Sequence, residues 1–145
     1  MTRLEADDAT QLPLTTDFAL QERVSELLDA AIRRQWWTLY FDEENRQMPL
    51  IMPMAGYPED PDEPCGAEGT AAQLLAQRLT EIVDHVGAAK VVFVWERPGA
   101  PESTAADRAW AKRLGEACRA VGVAVRAQFI LHDGGARWFA PDDYA

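Results

Sequence analysis

The stretch Lys90-Val91-Val92-Phe93-Val94-Trp95-Glu96-Arg97-Pro98 decides how this chain folds. Its uninterrupted apolar run, residues 91–94, is typical of a central β-strand that other elements cover on both faces. The segment 96–103 is rich in Pro and Gly, and it is predicted to be the loop that leaves this strand. The other elements are therefore placed relative to this strand.

Three segments carry apolar residues three and four positions apart, which is the spacing of one buried helix face. The first follows Asp17, which is predicted to be its N-cap, and its apolar spacing continues to Ile32. The second follows Thr70 as N-cap and ends at Gly87, because glycine readily adopts the left-handed conformation of a helix end. The third is predicted over 104–122.

Four further segments are predicted to be strands from their composition and the turns beside them. Two of them form a hairpin across the turn at 42–45. Pro49 and Pro53 place the second strand of this hairpin at a sheet edge, since proline cannot donate to a ladder. The other two flank the turn His132-Asp133-Gly134-Gly135. The four predicted strands are 36–41, 48–54, 123–131 and 137–140.

The element order is helix, strand, strand, helix, strand, helix, strand, strand. This order predicts an α/β (α+β) domain in which three helices pack on a mixed β-sheet. Residues 17–145 are assigned to this one domain, and the polar residues 1–16 are predicted to form a flexible N-terminal arm.

Charge and cysteine content restrict the classes of function. The chain has 14 basic and 24 acidic side chains and a formal net charge of −10, which disfavours binding to nucleic-acid phosphates and anionic membranes. Cys65 and Cys118 are too few for a disulfide framework, and no secretory signal is recognisable. No apolar run reaches the ~20 residues of a membrane helix. We therefore expect a cytoplasmic protein with two reduced thiols.

Several motifs follow one another at the spacing of a known family. They are residues 88–98, the stretch Thr104-Ala105-Ala106-Asp107 with the helix after it, and Asp133-Gly134-Gly135; the turn at 41–46 fits the family's first hairpin. On these motifs residues 36–139 resemble the RadC branch of the JAB/MPN superfamily, whose active members are zinc-dependent hydrolases with the JAMM motif. The resemblance implies a JAB/MPN-like, or cytidine-deaminase-like, core.

The central strand departs from the family's metal-binding pattern. Active relatives have two His, one residue apart, at the end of this strand, and here Trp95 and Arg97 occupy those positions and flank Glu96. The family's catalytic Glu is expected near the first hairpin, but residues 48–57 contain no carboxylate.

The later motif positions match in part. Thr104 and Asp107 give a Thr-x-x-Asp version of the family's Ser and Asp ligand, and the Asp-His pair of RadC falls on Ala127 and Gln128. Zinc catalysis needs about three His, Cys or carboxylate ligands and an open position for water. With Asp107 as the one matching ligand, the resemblance implies no metal, no cofactor and no catalytic residue. The degenerate-site positions are Trp95, Glu96, Arg97, Thr104, Asp107 and Gln128.

Two interpretations of Asp107 stay open. Arg97 and Asp107 could form an ion pair in place of the metal, which requires the two side chains to be close. Alternatively, Asp107 is favoured only because a carboxylate in the first turn of a helix interacts well with the helix dipole.

Other chemistry-bearing residues give weak signals. His85 fits a helix end and His132 a turn, and the Pro-rich acidic loop 58–63 is predicted to be rigid and solvated. The chain contains no Gly-x-Ser-x-Gly elbow, P-loop or dinucleotide motif. The five Trp residues are predicted to lie mostly in the core, with one or two exposed at a binding surface.

The leading expectation is a non-catalytic RadC/JAB-like domain that acts as a protein-interaction or scaffold module for an unknown protein partner. One alternative is an enzyme with a rebuilt site around Glu96, Arg97 and Asp107. A second alternative is a DNA-associated protein of the RadC type, which the negative charge and the lack of a basic cluster disfavour.

Overall fold

In the part of the chain that the structure describes, five strands form one mixed β-sheet, and helices cover both of its faces. The computed structural model describes residues 13–144. The strands are β1 (Gln35–Phe41), β2 (Gln47–Ala55), β3 (Lys90–Glu96), β4 (Val125–His132) and β5 (Gly135–Trp138). The helices are α1 (Asp17–Leu27), α2 (Ala71–Val86), α3 (Ala105–Ala120) and the short α4 (Pro141–Tyr144), with a 3₁₀ turn at Gly66–Glu68. The predicted α+β class and mixed sheet are confirmed.

The strand β3 lies at the centre of the sheet, whose order is β2-β1-β3-β4-β5. It runs antiparallel to β1 and parallel to β4, while the outer pairs β1–β2 and β4–β5 are antiparallel. All four side chains of the apolar run 91–94 are completely buried. The prediction of a central strand covered on both faces is therefore confirmed.

The two faces of the sheet bury two separate apolar clusters. On the face that α2 and α3 cover, Phe93 of β3 packs with Leu79 and Leu114. On the face that α1 covers, Val94 of β3 packs with Leu20 and other apolar residues. Because successive side chains of a strand point to opposite faces, β3 supplies both clusters.

The strand β2 forms one edge of the sheet, as its prolines predict. Pro49 and Pro53 have no N–H to offer, so this edge resists pairing with a further strand. Its last four residues, 52–55, are all exposed.

The predicted start and end of α2 and the predicted start of α3 are confirmed, whereas α3 ends at Ala120, two residues before the end of its predicted range. Thr70 and Thr104 are the N-caps, and each forms a capping box with the residue three positions later, Gln73 and Asp107 respectively. Gly87 ends α2 in the left-handed conformation, with a φ of 73°.

The predicted start of α1 was wrong by one residue. Its N-cap is Thr16, not Asp17, because the Thr16 hydroxyl accepts a hydrogen bond from the backbone N–H of Ala19 at 3.1 Å. Asp17 is the first helical residue instead, and its carboxylate lies 2.9 Å from the guanidinium of Arg126.

The predicted end of α1 was also wrong, since the helix stops at Leu27 rather than Ile32. The following backbone N–H groups bind distant acceptors instead of carbonyls four residues earlier. Ile32 and Arg33 donate to the Glu96 carboxylate at 2.8 and 3.1 Å, and Ala31 donates to the His132 carbonyl at 2.9 Å. Tertiary contacts therefore override the helical pattern of the sequence.

The C-terminal hairpin is tighter than predicted. His132 pairs with Gly135, so β5 begins at Gly135 and ends at Trp138, two residues earlier than the predicted strand at each end. The helix α4 that follows was not predicted.

Of the predicted N-terminal arm, residues 1–12 lie outside the described residues, and Leu14 is buried and donates its N–H to the Asn45 carbonyl.

Candidate functional site

The end of β3 and the start of α3 come together at the place where the RadC/JAB resemblance would put a metal. Trp95 points to the α2/α3 face of the sheet, and Glu96 points to the α1 face. Arg97 follows the last residue of β3 and meets Asp107 in the first turn of α3. The side chains of Trp95, Glu96 and Arg97 therefore lie in three different environments.

The indole of Trp95 is buried and fully partnered. Its Nε1 donates to Gln128 Oε1 at 2.7 Å, and Gln128 Nε2 donates to the carbonyl of Ala111 at 3.2 Å. The ring stacks on Trp36, with centroids 5.6 Å apart and planes at 15°. It also approaches Trp110 at 5.9 Å. Trp95 and Gln128 therefore form a buried hydrogen bond inside an aromatic cluster.

Arg97 and Asp107 form a largely buried ion pair. The guanidinium Nε and Nη2 donate to Asp107 Oδ2 at 3.1 and 3.0 Å, and the side chains are 14% and 9% exposed. The same carboxylate oxygen accepts from the backbone N–H of Thr104 at 2.9 Å. The remaining donors of Arg97 bind the carbonyls of Ala100 and Glu102. The ion-pair hypothesis for Arg97 and Asp107 is thus supported by their proximity.

Glu96 belongs to a different network on the α1 face. Its carboxylate accepts four hydrogen bonds; the donors are the backbone N–H groups of Ile32 and Arg33, Gln35 Nε2 at 2.9 Å and Trp37 Nε1 at 2.7 Å. Burial alone raises the pKa of Glu96, but the four donors together outweigh burial and lower this pKa below its ordinary value. Glu96 therefore anchors the segment between α1 and β1, and the structure does not bring it together with Asp107.

The residues at this place do not fit a zinc ion. The single matching ligand, Asp107, already binds a guanidinium, whose positive charge repels a cation. Within residues 13–144, no group of three or more His, Cys, Asp or Glu side chains is placed to share a metal ion. The donor set of a catalytic zinc site is therefore missing from the described part of the chain.

Two aromatic residues that the sequence did not single out as site residues complete the cluster. Tyr57 approaches Trp95 at 5.8 Å and Trp110 at 5.2 Å, and burial raises its pKa to about 12. The Trp110 Nε1 donates to the carbonyls of Pro58 and Glu59 at 2.9 and 3.2 Å. No local pattern marks Tyr57, because its neighbours in space lie far away in the sequence.

The other candidate features show no converging polar groups. The acidic loop 58–63 is held by Trp110, and the side chains of its four acids are exposed. None of the five Trp residues is exposed: Trp37 and Trp138 are half-buried and the others are buried, so the expectation of one or two exposed Trp is not met. Both cysteines are free thiols.

Comparison of the sequence with models of known protein families finds no match, and comparison with curated proteins finds none either. Among residues 13–144, no helix is long and apolar enough to cross a membrane.

The buried Glu96 carboxylate predicts a pH-dependent contribution to stability. Because its folded-state pKa is lowered, this contribution is fully present above the pKa of Glu in the unfolded chain and is lost as the pH falls through the folded-state value. Glu96→Gln places an amide NH₂ against N–H donors and should lower the free energy of unfolding at neutral pH by about 1–3 kcal/mol.

Urea denaturation between pH 3 and 8 measures this effect. The variant should show a shallower loss of stability on the acid side than the wild type. Glu81→Gln, at an exposed position on α2, is the matched control and should follow the wild-type curve. Identical acid limbs for the wild type and Glu96→Gln would contradict the role given to Glu96.

Proposed function

We propose that this chain is a non-catalytic domain of the RadC/JAB type that acts by binding a protein partner. The observation that carries the proposal is the hydrogen-bonded pair of Arg97 and Asp107. This pair uses the one carboxylate that matches a family ligand and puts a cation where the family would hold zinc.

The geometry supports the resemblance at several positions. The sequence motifs placed Trp95, Arg97 and Asp107 at one former site although the last two are ten residues apart. The strand–helix–strand unit β3-α3-β4 brings Arg97 to Asp107, and Gln128 of β4 binds Trp95. These two contacts join positions that the resemblance assigns to one former site.

A rebuilt catalytic site is less well supported by the same geometry. An enzyme built on Glu96, Arg97 and Asp107 needs groups that converge on one substrate. Glu96 instead faces the α1 side and accepts four hydrogen bonds, while Asp107 Oδ2 accepts three. Both carboxylates are used to hold backbone and side chains in place.

A partner protein fits the surface better than a nucleic acid. The net charge of −10 opposes phosphate binding. Among the described residues, three large apolar side chains in or just after α1 are exposed: Phe18 at 72%, Leu27 at 40% and Ile32 at 78%. When a partner covers apolar side chains, their removal from water makes the free energy of binding more favourable.

Metal content tests the non-catalytic part of the proposal. The purified protein, prepared without chelators, should contain far less than one zinc ion per chain by elemental analysis. Asp107→Asn should leave that value unchanged, as should Asp133→Asn, a control in the β4–β5 turn. Stoichiometric zinc in the wild type that disappears in Asp107→Asn but remains in Asp133→Asn would overturn the proposal.

If the chain binds a protein partner, binding should depend on the exposed apolar residues Phe18 and Ile32. A protein that co-purifies with the tagged wild type should be lost with the double variant Phe18→Ser and Ile32→Ser. It should be retained with Val121→Ser, which changes an exposed apolar residue at the end of α3. Equal recovery with both variants, or recovery of nucleic acid in place of a protein, would count against this role.

A further inference from the structure

A groove runs between the sheet edge and α2, on the opposite side of the sheet from Glu96. Its volume is about 340 Å³. Its walls are mainly apolar and include Leu75, Leu79 and Ile82 of α2 and Met52 and Met54 of β2. Pockets of this size with mainly apolar walls are typical binding sites for small molecules.

Three polar side chains of β1 line the same groove. Trp36, Thr38 and Tyr40 occupy alternate positions of the strand, so all three point to one face. The Tyr40 hydroxyl donates to Met52 Sδ at 3.6 Å, and a thioether sulfur is a weak acceptor. The groove thus combines apolar walls with a row of potential hydrogen-bond donors.

Trp36 is the exceptional member of this row. Within residues 13–144, its Nε1 is the one buried side-chain nitrogen or oxygen that has no hydrogen-bond partner. The indole nitrogens of Trp37, Trp95 and Trp110 all have acceptors at 2.7 to 2.9 Å. A buried donor without an acceptor is rare in native proteins and destabilises them, so its presence requires an explanation.

We propose that the groove binds a small, uncharged, mainly apolar molecule whose carbonyl oxygen accepts a hydrogen bond from Trp36 Nε1. A ligand carbonyl satisfies this donor, and the rest of the molecule packs against Leu75, Leu79 and Ile82. The charged groups of the groove are of opposite sign, Arg78 and Glu81, and both are exposed. An uncharged ligand therefore matches the groove better than an ion of either sign.

In this proposal Met52 and Met54 move aside to admit the ligand to Trp36 Nε1. In the sheet register Met54 lies opposite Trp36 and Met52 lies opposite Thr38, and the two methionines are 40% and 39% exposed. Methionine is the most adaptable of the apolar side chains, so a ligand can displace it at low cost. Displacement of Met52 also releases the Tyr40 hydroxyl as a second donor.

Two nearly isosteric probes, benzophenone and diphenylmethane, separate the hydrogen bond from apolar contact, because only the first has a carbonyl. Each is titrated into ¹⁵N-labelled wild-type protein while the five indole N–H signals are followed by NMR. The Trp36 signal, assigned by its loss in Trp36→Phe, should move downfield with benzophenone in a saturable manner. It should move much less with diphenylmethane, and the Trp95 and Trp110 signals should move little with either.

Affinity measurements on a variant give a second test. Trp36→Phe keeps an aromatic ring but removes the donor, so it should weaken benzophenone binding by about tenfold. Its affinity for diphenylmethane should stay within about twofold of the wild-type value. Trp138→Phe, which changes a Trp on the other face of the sheet, is the control and should bind both probes like the wild type.

Three results would overturn the proposal. The first is equal movement of the Trp36 signal with both probes, which would indicate apolar contact without the hydrogen bond. The second is no movement with either probe at saturation of their solubility. The third is a Trp36 signal that depends on protein concentration alone, which would make a second copy of the chain the occupant. If Trp36→Phe fails to fold, the Trp36 signal is assigned instead from its nuclear Overhauser effects to the ring of Phe93, 5.2 Å away, and the NMR result on the wild type still decides between them.

Discussion

The arrangement of β3 and α3 depends on the hydrogen bonds that the Arg97 guanidinium donates. This guanidinium binds the Asp107 carboxylate and the carbonyls of Ala100 and Glu102, so one side chain joins the end of the central strand, the loop after it and the first turn of the helix. In the proposal made above, this side chain takes the place of a metal ion. Arginine suits this role because its planar group carries five donors and is always charged.

The polar groups near this junction are satisfied within the protein. Trp95 is bound by Gln128, Arg97 by Asp107, and Glu96 by four donors on the opposite face of the sheet. In the proposal made above, these hydrogen bonds hold β3 and α3 together and take no part in catalysis. The groove beside α2 differs, because there Trp36 retains a buried donor without an acceptor. We therefore expect no ligand at the junction of Arg97 and Asp107, whose polar groups bind one another, and a bound ligand in the groove beside α2.

The sequence predicted those features of the fold that depend on neighbouring residues. Apolar spacing, turn residues and caps such as Thr70 act over a few positions, and the element order and the central strand followed from them. The end of α1 could not be predicted in this way, because Glu96 captures the N–H groups of Ile32 and Arg33 from more than sixty residues away. For the same reason the contact of Trp95 with Gln128 and the orphaned nitrogen of Trp36 were visible only in the structure. The proximity of Arg97 and Asp107 was within reach of the sequence, since a short loop joins the strand end to the helix start.

A double-mutant cycle on Arg97 and Asp107 tests the central claim most directly. The free energies of unfolding of the wild type, Arg97→Met, Asp107→Asn and the double variant are measured by urea denaturation, with zinc and with a chelator. If the ion pair joins β3 to α3 without a metal, the cycle should give a coupling energy of about 1–3 kcal/mol that is the same in both conditions. A coupling energy near zero, or a wild type that zinc stabilises through Asp107, would contradict the account.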